Sequence, residues 1–333
     1  MALSHTITVE QVQEIAARVE TRLAQVIVGQ DALIRHCLVG LLASGHILLE
    51  GAPGLGKNTL VQTLAQALGL SFARLPLTSD LTPGNLVDVG IRLRERARWR
   101  PERTNTGTLF ANLVLADEIN RAAPRTQTAL MEAMQDQAIV IAHRAHPLPQ
   151  PFVLIASQNP HQREGTHPLS LAQIDRFLFN LKIAVPDAAE LGTVLDRALA
   201  EPAPEVAAEA DGPTVLRMIE LARGVVVDDS VRDHAAQLLL ATHPDQPTAP
   251  DAVRRYVRCG AGPRGAQALL LGGRVVALLA GRGEVAIPDL HALALPSLRH
   301  RIVLNAEARA NDLTSDGIIE AVLDALPEGE VES

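Results

Sequence analysis

Between Gly51 and Thr59 the chain reads GAPGLGKNT, in which Gly51, Gly56 and Lys57 hold the spacing of a phosphate-cradling turn. Such a turn, set between an apolar strand and a helix start, aims backbone N–H groups at phosphate oxygens, and the helix dipole reinforces them. Pro53, Gly54 and Leu55 fill the turn, and Lys57 is placed to reach the terminal phosphates. The spacing asks for Ser or Thr directly after the lysine, because a hydroxyl there is a compact magnesium ligand. Asn58 stands in that position instead, with the hydroxyl of Thr59 one residue late. An asparagine carbonyl is also a hard oxygen, on a longer arm. Phosphate binding should therefore survive, while hydrolysis, which depends on in-line geometry, is the step exposed to the change.

A second candidate closes the apolar run in NLVLADEINRA, where Asp117 and Glu118 follow one another. Two carboxylates at the carboxyl end of a buried strand lie where ligands bind on parallel sheets. The first is suited to supporting magnesium, and the second to polarising a water for attack on a γ-phosphate. Asn159 ends another apolar run, VLIASQNP, and offers an uncharged donor and acceptor for orienting that water. Arg176, in LAQIDRF, reads either as a surface charge or as an arginine acting on a neighbouring molecule's transition state. Arg264, in GPRGAQALL, stands at a helix start, where a cation gains nothing from the dipole, and this favours a nucleotide contact.

These residues need a scaffold, and the apolar patterning supplies one. Short β-like runs at 46–50, 71–77, 112–116, 151–157 and 177–185 alternate with helical stretches, which predicts a parallel sheet flanked by helices. Leu60, Val61, Leu64 and Leu68 form one helical stripe that Gly69 ends. Beyond Pro186 the β signal fades. Residues 201–213 read as a surface linker, and the remainder as helices. The expected organisation is an α/β domain over 1–186 with an insertion near 88–105, a helical domain over 187–326, and an acidic tail over 327–333.

Composition narrows the functional classes. Thirty basic against 38 acidic residues give a net charge of −8, which disfavours non-specific binding to nucleic acid or anionic lipid. The two cysteines, Cys37 and Cys259, match no metal-ligand spacing and suggest a reducing compartment. No apolar run approaches the roughly 20 residues needed to span a bilayer, and the first residues carry no apolar signal core. The expectation is a cytoplasmic protein without membrane insertion.

Taken together, the motifs resemble the AAA+ ATPases and, within them, the MoxR family. The similarity runs from VIVGQDALI near residue 26 to LPSLRHRIVLNAEAR near residue 309, with FANLVLADEINRAAPRTQTALMEAMQD and SQNPHQREGTHPLSLAQIDRFLF the most specific stretches. The resemblance implies ATP with magnesium, bound between an α/β domain and a helical lid at the subunit boundaries of a ring, usually a hexamer. It implies that Val28 and Gly29 lie beside the adenine and that Gly51 to Thr59 form the phosphate loop. Asp117, with Asn58, would support the metal. Glu118 would be the catalytic acid, Asn159 the first sensor, Arg176 the trans-acting finger, and Arg264 the second sensor. It also implies a partner carrying a von Willebrand factor A domain and a protein client to be remodelled or matured. Asn58 is the departure from the family pattern. It keeps open a scaffold or switch governed by ATP state with weak hydrolysis, and the related chelatase subunits supply a further alternative.

One more segment stands out. Residues 91–103, IRLRERARWRPER, carry six arginines against two glutamates, with five of the arginines on one face if the segment is extended. MoxR-like proteins carry a pore-directed hairpin here. A solvated strand, a basic loop that grips an acidic polypeptide and a nucleic-acid contact are all open readings, the last disfavoured by the acidic whole.

Overall fold

The structure is a computed structural model that describes residues 7–86, 105–106, 109–141, 144–160, 165–199 and 206–326. The arginine-rich stretch 91–103 and the acidic tail 327–333 lie outside the described residues.

The five expected strands form where the apolar runs predicted them, as β1 (Ile47–Glu50), β2 (Phe72–Pro76), β4 (Leu113–Asp117), β7 (Val153–Gln158) and β8 (Phe179–Lys182), while the short β3 (Asn105–Thr106) and the antiparallel pair β5 (Ala138–Ile141) and β6 (Arg144–Pro147) were not announced by the patterning. All but the β5–β6 pair join one sheet in the order β3-β2-β4-β7-β1-β8. The β1–β7, β7–β4, β4–β2 and β2–β3 pairings are parallel. Nearly continuous burial along Ile47–Leu49, Leu113–Ala116 and Val153–Ser157 is what a sheet covered on both faces requires. Glu50 pairs with Gln158 and Ala116 with Ala156, so the carboxyl ends of β1, β7 and β4 come level with one another. The loops leaving those three strands therefore open on one edge, where β1 lies between two strands that follow it in sequence.

Helices flank this sheet. In α1 (Val9–Ala24), Val12, Ile15, Ala16, Val19 and Leu23 make a buried stripe at helical spacing, and Thr8 and Gln11 close a capping box. This helix packs on α2 (Asp31–Leu42) and α3 (Lys57–Ala67). After α3, Gly69 adopts φ +61°, and a Cβ there would fall 2.3 Å from the Ala210 carbonyl oxygen, so the turn tolerates only glycine. The stretch expected as a surface linker is thus anchored at its end. Glu209 donates its backbone N–H to Ala67, and its carboxylate, only 12% exposed, holds Arg18 and Arg22 at 3.1 and 2.8 Å.

Packing divides the chain into two units. One gathers residues up to Leu169 together with Leu181–Ile219, and the other gathers Ser170–Asn180 together with Glu220 onward. The second unit is mainly helical. The helix Pro263–Leu279 packs on Asp229–Leu240, Ile287–Ala292 and Ala294–Leu298. A Cβ on Gly272 would come within 2.6 Å of Leu293 and 2.9 Å of Phe179, so the missing side chain is what lets both approach. The same unit contains a short antiparallel pair, β9 (Val257–Cys259) and β10 (Val303–Leu304), that the helical patterning did not announce.

Candidate nucleotide-binding site

The turn after β1 leads into α3 through Gly54 and Gly56, at φ +85° and +74°, conformations that strain any residue with a Cβ. Lys57 opens the helix and donates to the carbonyls of Gly51 and Ala52 at 2.6 and 2.8 Å. Burial pushes its ammonium below the ordinary lysine range, and the charges of Asp117 and Glu118 pull the other way. Lys57, Asn58, Asp117, Glu118 and Asn159 line a single pocket with Pro53, Gly54 and Gly56. Five residues read separately from the sequence are thus brought together by the alignment of β1, β4 and β7. Thr59 faces solvent outside the pocket lining.

Asp117 and Glu118 meet at a sharp corner. Glu118 sits in left-handed backbone at φ 59°, ψ 55°, an arrangement that costs a non-glycine residue about 1–3 kcal/mol. Ser157, 1% exposed, stabilises the corner from β7. Its hydroxyl accepts from the Glu118 N–H at 2.8 Å and donates to Asp117 Oδ1 at 2.6 Å. One hydroxyl therefore fixes both acids relative to the sheet.

Each acid already has an arginine beside it. Arg74, on β2, donates through Nε and Nη2 to Asp117 Oδ2 at 3.1 and 2.6 Å. Arg121 donates to Glu118 Oε2 at 2.8 Å. Arg74 and Ser157 both line the pocket. Neither was picked out from sequence, because each owes its position to a neighbouring strand. The available signal was a charged or hydroxylated residue near the end of a buried strand, in FARLP and in VLIASQ.

Magnesium accompanying a nucleotide takes hard oxygens in an octahedral shell that includes phosphate and water. The Oδ1 of Asn58 is shielded from solvent and has no hydrogen-bond partner among the described residues. A buried acceptor left this way costs on the order of 1–3 kcal/mol, and a cation or its bound water would satisfy it. With the Asp117 carboxylate in the same pocket, the donor set fits magnesium.

Gly29 adopts φ +67°, and a Cβ on it would collide with the Glu190 carboxylate at 1.8 Å. Gln30 donates to the Ala184 carbonyl at 3.2 Å, and the Ile183 N–H donates to Glu50 at the end of β1. This chain of contacts ties Val28 and Gly29 to the segment beside the phosphate loop's first residue. The two arginines lie in the second unit. Arg264, in the first turn of its helix, is 3.4 Å from Asp175 Oδ2, which accounts for its charge at an unfavourable helix end. Arg176 follows Asp175 directly, half-buried, and its guanidinium has no partner among the described residues.

Known proteins resemble this chain in sequence and in fold. Residues 46–179 match the ATPase family associated with various cellular activities (AAA), and residues 250–322 match the AAA lid domain. Chaperone MoxR1 of Mycobacterium tuberculosis is 37% identical over 306 residues, covering 91% of this chain and 80% of that protein. The uncharacterised protein YeaC of Bacillus subtilis is 33% identical, covering 95% of this chain and 96% of its own length. A crystal structure from Cytophaga hutchinsonii, described as a candidate ATPase, superposes with a TM-score of 0.85 at 31% identity, covering 96% of this chain and 97% of that one.

Proposed function

As the chain belongs to the MoxR family of AAA ATPases, we propose that it binds and hydrolyses ATP in a ring and uses the cycle to remodel or mature a protein client. The observation that carries this reading is the single pocket in which the phosphate loop, both acids and Asn159 converge. The name of the mycobacterial relative, a chaperone, supports the client. A partner with a von Willebrand factor A domain and a hexameric ring belong to the same proposal.

The residues divide the work as follows. N–H groups of the loop from Gly51 to Thr59 and the ammonium of Lys57 bind the β- and γ-phosphates. Val28 and Gly29 border the base. Asp117 and Asn58 would hold magnesium, which when bound draws charge from the phosphate oxygens. Glu118, freed from Arg121, accepts a proton from water as that water's oxygen bonds to the γ-phosphorus. The bond from that phosphorus to the bridging oxygen breaks, and ADP leaves with the electron pair. Asn159 orients the water. Arg176 and Arg264 lend positive charge to the triphosphate, Arg176 from the adjoining subunit.

The test is phosphate release by the wild type beside Glu118→Gln, with nucleotide binding measured on both. Binding should persist while turnover falls about a hundredfold or more. A variant that turns over at the wild-type rate removes Glu118 from the chemistry. Asn58 favours a second reading, a switch whose ATP-bound state matters more than turnover. It predicts tight ATP binding and client engagement with a wild-type rate already near that of Glu118→Gln.

A further inference from the structure

Arg301 is almost wholly withdrawn from solvent, its side chain 3% exposed. A guanidinium carries five N–H donors and no acceptor, and burying it requires partners for the charge and for each donor. All five are engaged. Nε donates to Asp175 Oδ1 at 2.9 Å. One terminal nitrogen donates to the carbonyls of Asp175 and Phe177 at 3.0 and 2.7 Å. The other donates to the Leu178 carbonyl at 3.2 Å and to the Ser297 carbonyl. Four of the five acceptors therefore lie in Asp175–Leu178, on both sides of Arg176.

The neighbours of Arg301 extend the grip. His300 Nε2 donates to the Phe177 carbonyl at 3.1 Å, and Arg299 donates to the Asn180 carbonyl at 3.3 Å. The other oxygen of Asp175 faces Arg264. The backbone that carries Arg176 is thus held by a side chain 126 residues beyond Asp175, while Arg176 itself keeps its guanidinium unengaged among the described residues.

We propose that Arg301 is the positioning residue for Arg176. Its planar fork fixes the peptide groups flanking Arg176 so that the free guanidinium is presented in one direction, and its partner Asp175 ties Arg264 to the same support. The proposal rests on the reading above, in which Arg176 completes the ATP site of an adjoining subunit.

A lysine at 301 keeps the charge but gathers its donors on one nitrogen, and so cannot serve separated carbonyls. The experiment measures kcat and KM for ATP hydrolysis in the assembled protein for Arg176→Ala, Arg301→Lys and the double variant. Hydrogen exchange is followed on the peptide spanning residues 171–180. Arg301→Lys should lower kcat about tenfold or more with KM within about twofold, since a trans-acting arginine is worth far more than that. The double variant should be no slower than Arg176→Ala alone, because both changes remove one interaction. Exchange should accelerate in the 171–180 peptide and stay as in the wild type elsewhere. Losses that multiply in the double variant, or a wild-type kcat in Arg301→Lys, overturn the proposal and leave the shared-site reading standing. A wild-type kcat in Arg176→Ala overturns the shared-site reading, and the proposal with it. If Arg301→Lys does not fold, Asp175→Asn enters the same cycle. Because Asp175 also holds Arg264, that cycle is run in an Arg264→Ala background, where the loss in kcat from Asp175→Asn must disappear once Arg176 is alanine as well.

Discussion

Arg74 Nη2 stands 2.6 Å from Asp117 Oδ2, across the β2–β4 pairing, so a fixed positive charge already occupies the acid expected to support magnesium. The Arg74 side chain is 48% exposed and that of Asp117 20%, which limits the pair to about 0.2–1 kcal/mol. Magnesium must share or displace that contact. Arg74→Gln should therefore lower the magnesium concentration for half-maximal nucleotide binding by up to about fivefold, the upper end of what that energy allows. A fluorescent-ADP titration at stepped magnesium reads this directly. An unchanged midpoint would mean that arginine and metal occupy Asp117 without competing.

The asparagine in the phosphate loop leads to a rate experiment. Asn58→Thr restores a short hydroxyl where the longer amide now sits, and the steady-state ATPase rate should rise severalfold while ATP affinity changes little. A rate within twofold of the wild type would take Asn58 out of the mechanism.

Ser157 makes two bonds with one hydroxyl, and Ser157→Ala would leave the Glu118 N–H and one Asp117 oxygen without that partner. Losing partners in so buried a place should cost about 1–3 kcal/mol in urea unfolding of the nucleotide-free protein. Turnover should fall as well, because the corner bearing both acids loosens. Wild-type stability with wild-type turnover would show that another group holds the corner.

Acid sensitivity follows from His46. The Leu154 N–H donates to its Nδ1 at 3.0 Å, and Nε2 meets the Met134 carbonyl at 3.1 Å, so the ring is held neutral with its proton on Nε2. Burial pushes its pKa down from 6.5 to about 4. Between those two values the unfolded chain binds a proton that the folded chain refuses. The contribution to stability, about 3 kcal/mol, is thus complete above pH 6.5 and lost as pH falls toward 4. Urea unfolding across pH 7.5 to 4 should show the stability gap between the wild type and His46→Gln narrowing by that amount. A gap that stays constant would mean that the ring does not titrate in this window.

Much of the site was legible along the chain because its chemistry is local. A phosphate loop needs glycine and lysine at fixed spacing between a strand and a helix, and the paired acids need only to end an apolar run. The same logic located Asn159 and five strands of the main sheet, since a strand buried on both faces writes itself as continuous apolar sequence. Residues chosen by a neighbour across the sheet left no such trace. Arg74 and Ser157 look like ordinary strand residues until the β2–β4 and β4–β7 pairings set them against Asp117 and Glu118.

The sequence by itself determined the α/β class and set the glycine- and lysine-bearing turn with its asparagine, and the paired acids, at the ends of apolar strands, because each depends on residues within a few positions of one another. Only the tertiary structure decided which partners neutralise those acids, and that Ser170–Asn180 packs with the helical unit. The reason is geometric. A buried guanidinium at Arg301 must find acceptors for all its donors, and it finds most of them on a segment more than a hundred residues away, a pairing that spacing along the chain does not encode.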